Sequence, residues 1–336
     1  MDDAILTLQE LPSLLADPER RERFSPLTEQ PFLLFDAAAG TPPADVGTLA
    51  ALGELACPVI AILPSDAPVH STAVAALADV VVESARDAQT LIRNIRTHPR
   101  AAMVLVQVLR HNARATIADG LLAESLAFAT LQGGAEYHAF LARRGTAPKV
   151  AVDAEPPVLL ARTNDVLEIT LNRPAARNAF STAMRDGLVA ALHLLASDPT
   201  LQRARIRGAG ACFCSGGDLE EFGLAGDLPA AHAIRSTRNA GRLIAELAPR
   251  VECHVHRACI GSGIELPAFA GCIVATPDTL FQLPEISLGL IPGAGGTVSI
   301  TRRIGRQRTA WLALSARRID APTALEWGLI DAIGEG

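Results

Sequence analysis

The 336-residue chain carries 30 Lys and Arg against 36 Asp and Glu, a formal net charge of −6, which argues against non-specific nucleic-acid binding. Hydrophobic residues make up 49% but aromatics only 4%, so Ala, Leu, Val and Ile must fill a core large enough for one big domain or two modest ones. The acidic start Met1-Asp2-Asp3 lacks the basic region of a signal peptide, and the longest apolar run, around 101–109, is too short to cross a bilayer. The six cysteines, Cys57, Cys212, Cys214, Cys253, Cys259 and Cys272, form no Cys-x-x-Cys pair and sit among apolar neighbours, as reduced, buried thiols do. The sequence thus reads as cytoplasmic, without a membrane partner.

Residues 1–30 are charged and punctuated by Pro12, Pro18 and Pro26, a short helical or irregular lead-in. Apolar runs at 32–36, 59–63 and 79–83 predict buried strands, with a loop over 36–45 and a short helix over 71–78. That alternation indicates an α/β layer. From Ala85 the spacing turns helical: Leu91, Ile92 and Ile95 share a face, and Leu121, Leu122, Ser125, Phe128 and Ala129 keep the same period. The proline-rich, aperiodic stretch 146–157 is the expected boundary between an N-terminal region, 1–150, and a second unit, 158–336.

The second unit opens on a strand at 166–171. Ser181 caps a helix whose apolar face is Met184, Leu188, Ala191, Leu192 and Leu195. Further strands are expected at 203–207, 251–256 and 272–275, a long helix at 228–247, two helices near 296–304 and 308–316, and a short closing unit at 322–333. Glycine turns fall at Gly216-Gly217, Gly261-Ser262-Gly263 and Gly293 to Gly296. Such turns let backbone N–H groups approach a ligand, and a helix opening on one presents the positive end of its dipole. Glu265 and Glu285 lie beside these turns, so an oxyanion-stabilising, proton-moving site is the functional reading. No Gly-Lys-Ser/Thr follows any of them, which sets a phosphate-binding P-loop aside.

Other residues read as structural. Asp218 reads as a helix cap, and Cys212 and Cys214 as packing residues. Glu252, His254 and His256 share one strand face but are read as a polar surface and not as a metal site. The Arg302, Arg303, Arg306 and Arg308 run reads as a solvated helix face.

Four motifs in order resemble the crotonase superfamily, the enoyl-CoA hydratase/isomerase family, over 166–333: Asn172-Arg173-Pro174 with Asn178-Ala179; Phe213 to Leu219; Gly261 to Leu266; and Pro284-Glu285 through Gly289 to Thr297. The resemblance implies an α/β spiral of ββα units and an acyl-CoA thioester as substrate, with no separate cofactor. It also implies an oxyanion hole of the Gly217 and Ser262 N–H groups, with Glu265 and Glu285 sharing the proton work and Gly293 positioning water. Hydration of a 2-enoyl-CoA is the leading reading. Double-bond isomerisation, another thioester lyase or hydrolase reaction, and a non-catalytic partner subunit are the alternatives. Fatty acid metabolism and a trimer or hexamer are implied in the same way.

The sequence departs from the family pattern in places. Ser262 and Arg257 stand where the family has glycine; the Ser262 Cβ is expected to narrow the approach to its N–H, and Arg257 to alter or partly fill the cleft. Pro267 falls within the helix that carries Glu265. With the chain ending at Gly336, the core is expected to lack the family's C-terminal helices. Residues 100–145 resemble those helices, so the N-terminal region reads as a degenerate crotonase-like half whose helices cover the second unit's cleft.

Overall fold

The computed structural model describes residues 4–41, 43, 46–145 and 155–334. Residues 146–154 of the expected boundary, and Pro42, Ala44 and Asp45 of the expected 36–45 loop, lie outside the described residues. Among the described residues no helix is long and apolar enough to cross a membrane.

The fold is α/β, and its first half forms as the apolar runs predict. Strands Leu33–Asp36, Val59–Ile62 and Val80–Val82 make one parallel sheet in that order. Their side chains are buried on both faces, which is why the runs are nearly continuous in Val, Ile and Leu. One face packs on a local cluster that includes Leu8, Leu11, Leu49 and Leu52. The other face joins Leu91 and Ile95 of helix Ala85–Thr97 in a core that runs without a break into the second half. Helices Pro99–Asn112, Ile117–Gln132 and Ala135–Arg144 follow. Among the described residues this half has a single sheet, unlike the paired sheets of the second.

The second half winds two sheets. The larger has the order 332–333, 272–275, 251–255, 203–208, 166–171, 158–163, all parallel except its last pair. The smaller has the order 319–320, 280–282, 258–260. The chain passes from Val251–Val255 in the larger sheet to Ala258–Ile260 in the smaller, and again from Cys272–Ala275 to Leu280–Gln282. These two turns thus lay down one strand per sheet, each followed by a helical turn, whereas after Arg203–Gly208 the smaller sheet is reached only by the isolated bridge between Cys214 and Cys259.

Several boundaries differ from the sequence reading. Strands Val158–Thr163, Ala258–Ile260 and Leu280–Gln282 were not anticipated; the first is exposed on all but one residue, and the other two are three residues long. The long helix is two, Leu228–Thr237 and Ala240–Glu246, because Asn239 leaves the helical region and caps the second through Arg242 N–H. The helix carrying Glu265 stops at that residue, and Pro267 opens a 3-10 turn, where its missing N–H costs nothing. Helix Gly296–Ser315 is kinked at Gly305 (φ 80°), between the two expected segments.

Three polar readings are corrected. Asp218 is no helix cap: its carboxylate pairs with Arg173 at 2.7 Å, both buried, and accepts from Glu220 N–H. The arginine run is a solvated face only in part: Arg302 and Arg308 are exposed, whereas Arg303 and Arg306 are drawn inward. Arg302 donates to Ala115 O, Arg303 to Ala268 O and Ala270 O, and Arg306 to Asp79 and Ala78 O, so these side chains join elements. Arg257 fills no cleft. Its side chain is 69% exposed and pairs with Asp278. Its φ of 58° explains why glycine suits the position.

Candidate active site

Two glycine turns meet first. Phe213 to Gly217 runs alongside 258–261, with Cys214 N–H donating to Ala258 O and Ile260 N–H donating to Cys214 O, both at 3.1 Å. Gly216 (φ 103°) and Gly261 (φ 51°) turn the two backbones in conformations that L side chains resist. The Gly217 and Ser262 N–H groups that follow have no acceptor among the described residues. Both residues line one cavity of about 220 Å³, together with Glu265, Glu285, Gly293, Phe128 and Phe180. Ser262 is buried, with its side chain beside the Cys214 thiol.

The two glutamates reach this cavity from different turns. Glu265 ends the single helical turn Ser262–Glu265; Glu285 opens the 3-10 turn Glu285–Leu288. A point at the place of an added Gly261 Cβ lies 2.5 Å from Glu285 Oε1 and 3.8 Å from Glu265 Oε1. The sequence-predicted pair is therefore brought together. A Gly261→Ala substitution would place a methyl group against Glu285 and impose a strained φ. The expected result is at least a tenfold loss of turnover and about 1–3 kcal/mol of stability, read by steady-state kinetics and urea unfolding.

A third buried carboxylate, Glu124, was not singled out from the sequence as a site residue. It comes from the N-terminal helix Ile117–Gln132. Four successive N–H groups at the start of helix Gly296–Ser315 alternate between two acids. Ala294 (2.7 Å) and Gly296 (3.0 Å) donate to Glu265 Oε2, whereas Gly295 (2.7 Å) and Thr297 (2.9 Å) donate to Glu124. The helix dipole favours both. Phe128, one turn beyond Glu124, covers Gly293: its ring lies 2.5 Å from where a Gly293 Cβ would sit. The cleft is thus covered on this side by helix Ile117–Gln132, from the first half of the same chain. The sequence signal for Glu124 was its place inside an apolar helical stretch, where an acid has no reason to be unless it has partners.

Burial sets the proton affinities. Desolvation raises Glu265 to about 7, against the N–H donors of Ala294, Gly296 and Gly293 that favour its anion. Desolvation and the nearby Glu265 charge raise Glu124 to about 8. Glu285 is raised well above the usual carboxylate range by burial and then by Glu265; its Oε2 is buried without a hydrogen-bond partner. Three acids in one dry space cannot all ionise near neutrality, so they titrate as a set.

This has a stability consequence. An unfolded Glu124 loses its proton near 4.5, whereas folded Glu124 keeps it to about 8. The unfolded state then binds fewer protons, so stability falls as pH rises between those values. Glu124→Gln is expected to flatten the fall. Unfolding free energies from pH 5 to 8.5 test this, and an unchanged slope would contradict it.

The remaining candidates are accounted for elsewhere. Burial pushes Cys214 up to about 11 and also raises Cys212, so neither is a poised nucleophile. His254 bonds Glu252 at 2.5 Å and His256 bonds Gly210 O at 3.1 Å.

Two sheets wound as repeating β–β–α turns, with their glycine turns meeting at one acid-lined cavity, define a crotonase-superfamily protein. The chain belongs to the enoyl-CoA hydratase/isomerase family, whose model matches residues 161–334. It is 35% identical over 178 residues to 2,3-dehydroadipyl-CoA hydratase of Escherichia coli K12, covering 52% of this chain and 68% of that protein. It is 33% identical over 169 residues to 1,2-epoxyphenylacetyl-CoA isomerase of the same organism, covering 49% and 64%. A solved enoyl-CoA hydratase of Mycobacterium smegmatis superposes with a TM-score of 0.50 at 30% identity, covering 53% of this chain and 70% of that one. The chain thus spans about two thirds of the length of these relatives, and the match lies in its second half.

Proposed function

We propose that the protein hydrates a 2-enoyl-CoA thioester. The observation that carries this reading is the convergence of Glu265 and Glu285 on one point beside the free N–H groups of Gly217 and Ser262. The thioester oxygen would accept from those two N–H groups, which stabilise negative charge as it develops. Glu265, steadied as an anion by its N–H donors, takes a proton from the water as its oxygen bonds to the β-carbon. The electron pair of the double bond moves onto the thioester as an enolate. Glu285, which holds its proton more firmly, gives it to the α-carbon, and the enolate collapses. Proton exchange between the two glutamates restores the starting state. Gly293 would position the water through its backbone, next to the Glu265 carboxylate that its N–H helps to hold, since Phe128 fills the space where a side chain would sit.

The roof helices 99–144 are proposed to stand in for the C-terminal helices of the family, since Glu124 and Phe128 close the site from that side. A reducing, cytoplasmic setting fits the six free thiols. A homo-oligomer, trimer or hexamer, and a role in fatty acid metabolism belong to the same proposal and rest on family membership.

Loss of enoyl-thioester absorbance with crotonyl-CoA and longer 2-enoyl-CoAs tests the reading. Its expected rate follows a bell-shaped pH profile with an acid limb near the Glu265 value. Movement of the double bond without water uptake would make the protein an isomerase. CoA-ester binding with no chemistry would make it a non-catalytic partner.

A further inference from the structure

We propose that the acyl group this site accepts ends in a carboxylate, and that Arg235 binds it. This rests on the acyl-CoA reading above. Three arginines line the cavity: Arg185, Arg235 and Arg238. Arg185 and Arg238 are both paired with Asp186, at 2.8 and 3.0 Å. Arg235 has no carboxylate within ion-pair distance among the described residues. The cavity's further acid, Glu221, is engaged elsewhere, accepting from the Thr182 N–H and hydroxyl at the start of helix Thr182–Ser197.

Arg235 is nevertheless partly withdrawn from water. Its Nε donates to Ser125 Oγ at 3.0 Å, and two longer contacts, at 3.4 and 3.5 Å, reach Ser125 O and Gln132. The guanidinium lies 5.0 Å from the centre of the Phe128 ring. Desolvation lowers its proton affinity, and the acid acting on it from a distance is Glu124, which itself keeps a proton to about 8. The charge therefore stays uncompensated at neutral pH. A desolvated cation without a counter-ion is costly unless something supplies the anion. Phe128 also touches Gly293, so the arginine stands one ring away from the glutamate pair, on the wall of the same cavity. Each Nη makes only one of those longer contacts, so a second N–H on each is left to take a carboxylate through two N–H bonds. An acyl chain that runs from the glutamates to this wall stays within the one cavity of about 220 Å³.

The test compares two six-carbon pairs of CoA esters that differ only in the chain terminus. Turnover is measured with 2-hexenedioyl-CoA and 2-hexenoyl-CoA, and binding by calorimetry with the saturated adipyl-CoA and hexanoyl-CoA. The wild-type protein is expected to favour the carboxylated member at least tenfold in kcat/KM and in affinity, as a charge-assisted pair supplies. Arg235→Gln should erase that preference, read as the ratio of the two esters' kcat/KM and of the two saturated esters' affinities within the same variant. Arg235→Lys, which keeps the cation without the fork, should retain part of it. Equal affinity of the wild-type protein for both saturated esters would overturn the proposal and leave the acyl-CoA reading standing. So would a preference that survives in Arg235→Gln. Binding of neither ester would overturn the acyl-CoA reading and this inference with it. Turnover failing while adipyl-CoA still binds more tightly would overturn the hydratase reading alone.

Discussion

Glutamine at position 285 is expected to lower enoyl-CoA turnover about a thousandfold, within the range that a positioned acid or base supplies, with little change in CoA-ester affinity. The substitution is nearly isosteric. Glu285 Oε2 has no hydrogen-bond partner, so the amide displaces no bond at that atom. What disappears is the ability to hold and release a proton. Burial and the Glu265 charge keep that proton on Glu285 at neutral pH, which suits the acid step at the α-carbon. Because Glu285 stays protonated while Glu265 ionises, glutamine mimics its neutral form, and the acid limb of the pH–rate profile should stay near the Glu265 value. Glu265→Gln should be as inactive but less stable, because Glu265 Oε2 also satisfies the N–H groups of Ala294 and Gly296. Single-turnover rates and ester binding for both variants separate the effects. A Glu285→Gln protein within tenfold of wild type would remove Glu285 from the proton work.

The pair Glu265 and Glu285 was legible in the sequence because each sits in a glycine-marked motif whose spacing is local. The same holds for Gly217 and Ser262, whose turns announce themselves through Gly216 and Gly261. Glu124 was not legible as a site residue. It lies 141 positions before Glu265, and nothing in a helical stretch says which cleft it will roof. Arg235 was hidden for another reason: an arginine on a predicted surface helix looks solvated until Phe128 and Ser125 are seen to enclose it. The strands of the small sheet were missed because a three-residue strand has no periodicity to read. Arg257 was misjudged in the opposite sense. Its mismatch with a glycine position suggested a blocked cleft, whereas the constraint there is the backbone φ, and the side chain points to Asp278 at the surface.

Asp79 joins the two halves of the chain, and Asp79→Asn is expected to destabilise the protein by about 3–5 kcal/mol, the cost of leaving buried cations without their partner. The residue follows the turn into strand Val80–Val82 and is 1% exposed. Its carboxylate accepts from Val59 N–H at 2.9 Å, tying two strands of the first sheet. It also meets Arg110 of helix Pro99–Asn112 and Arg306 of helix Gly296–Ser315. One negative charge thus serves two guanidinium groups, one from each half. Arg110 also donates to Leu55 O and Cys57 O, and Arg306 to Ala78 O, so neither arginine can swing away to water without breaking further bonds. Asparagine keeps the volume and the Val59 bond but removes the charge that both arginines need. The helix that carries Arg306 begins at Gly296, where its first N–H groups hold Glu265 and Glu124. Loosening that joint should therefore lower turnover as well as stability. Urea unfolding gives the stability loss, and kinetics at a temperature where the variant stays folded give the turnover. Unchanged stability would show that water already compensates this junction, and normal turnover in a destabilised variant would show that the first half braces the fold without tuning the glutamates.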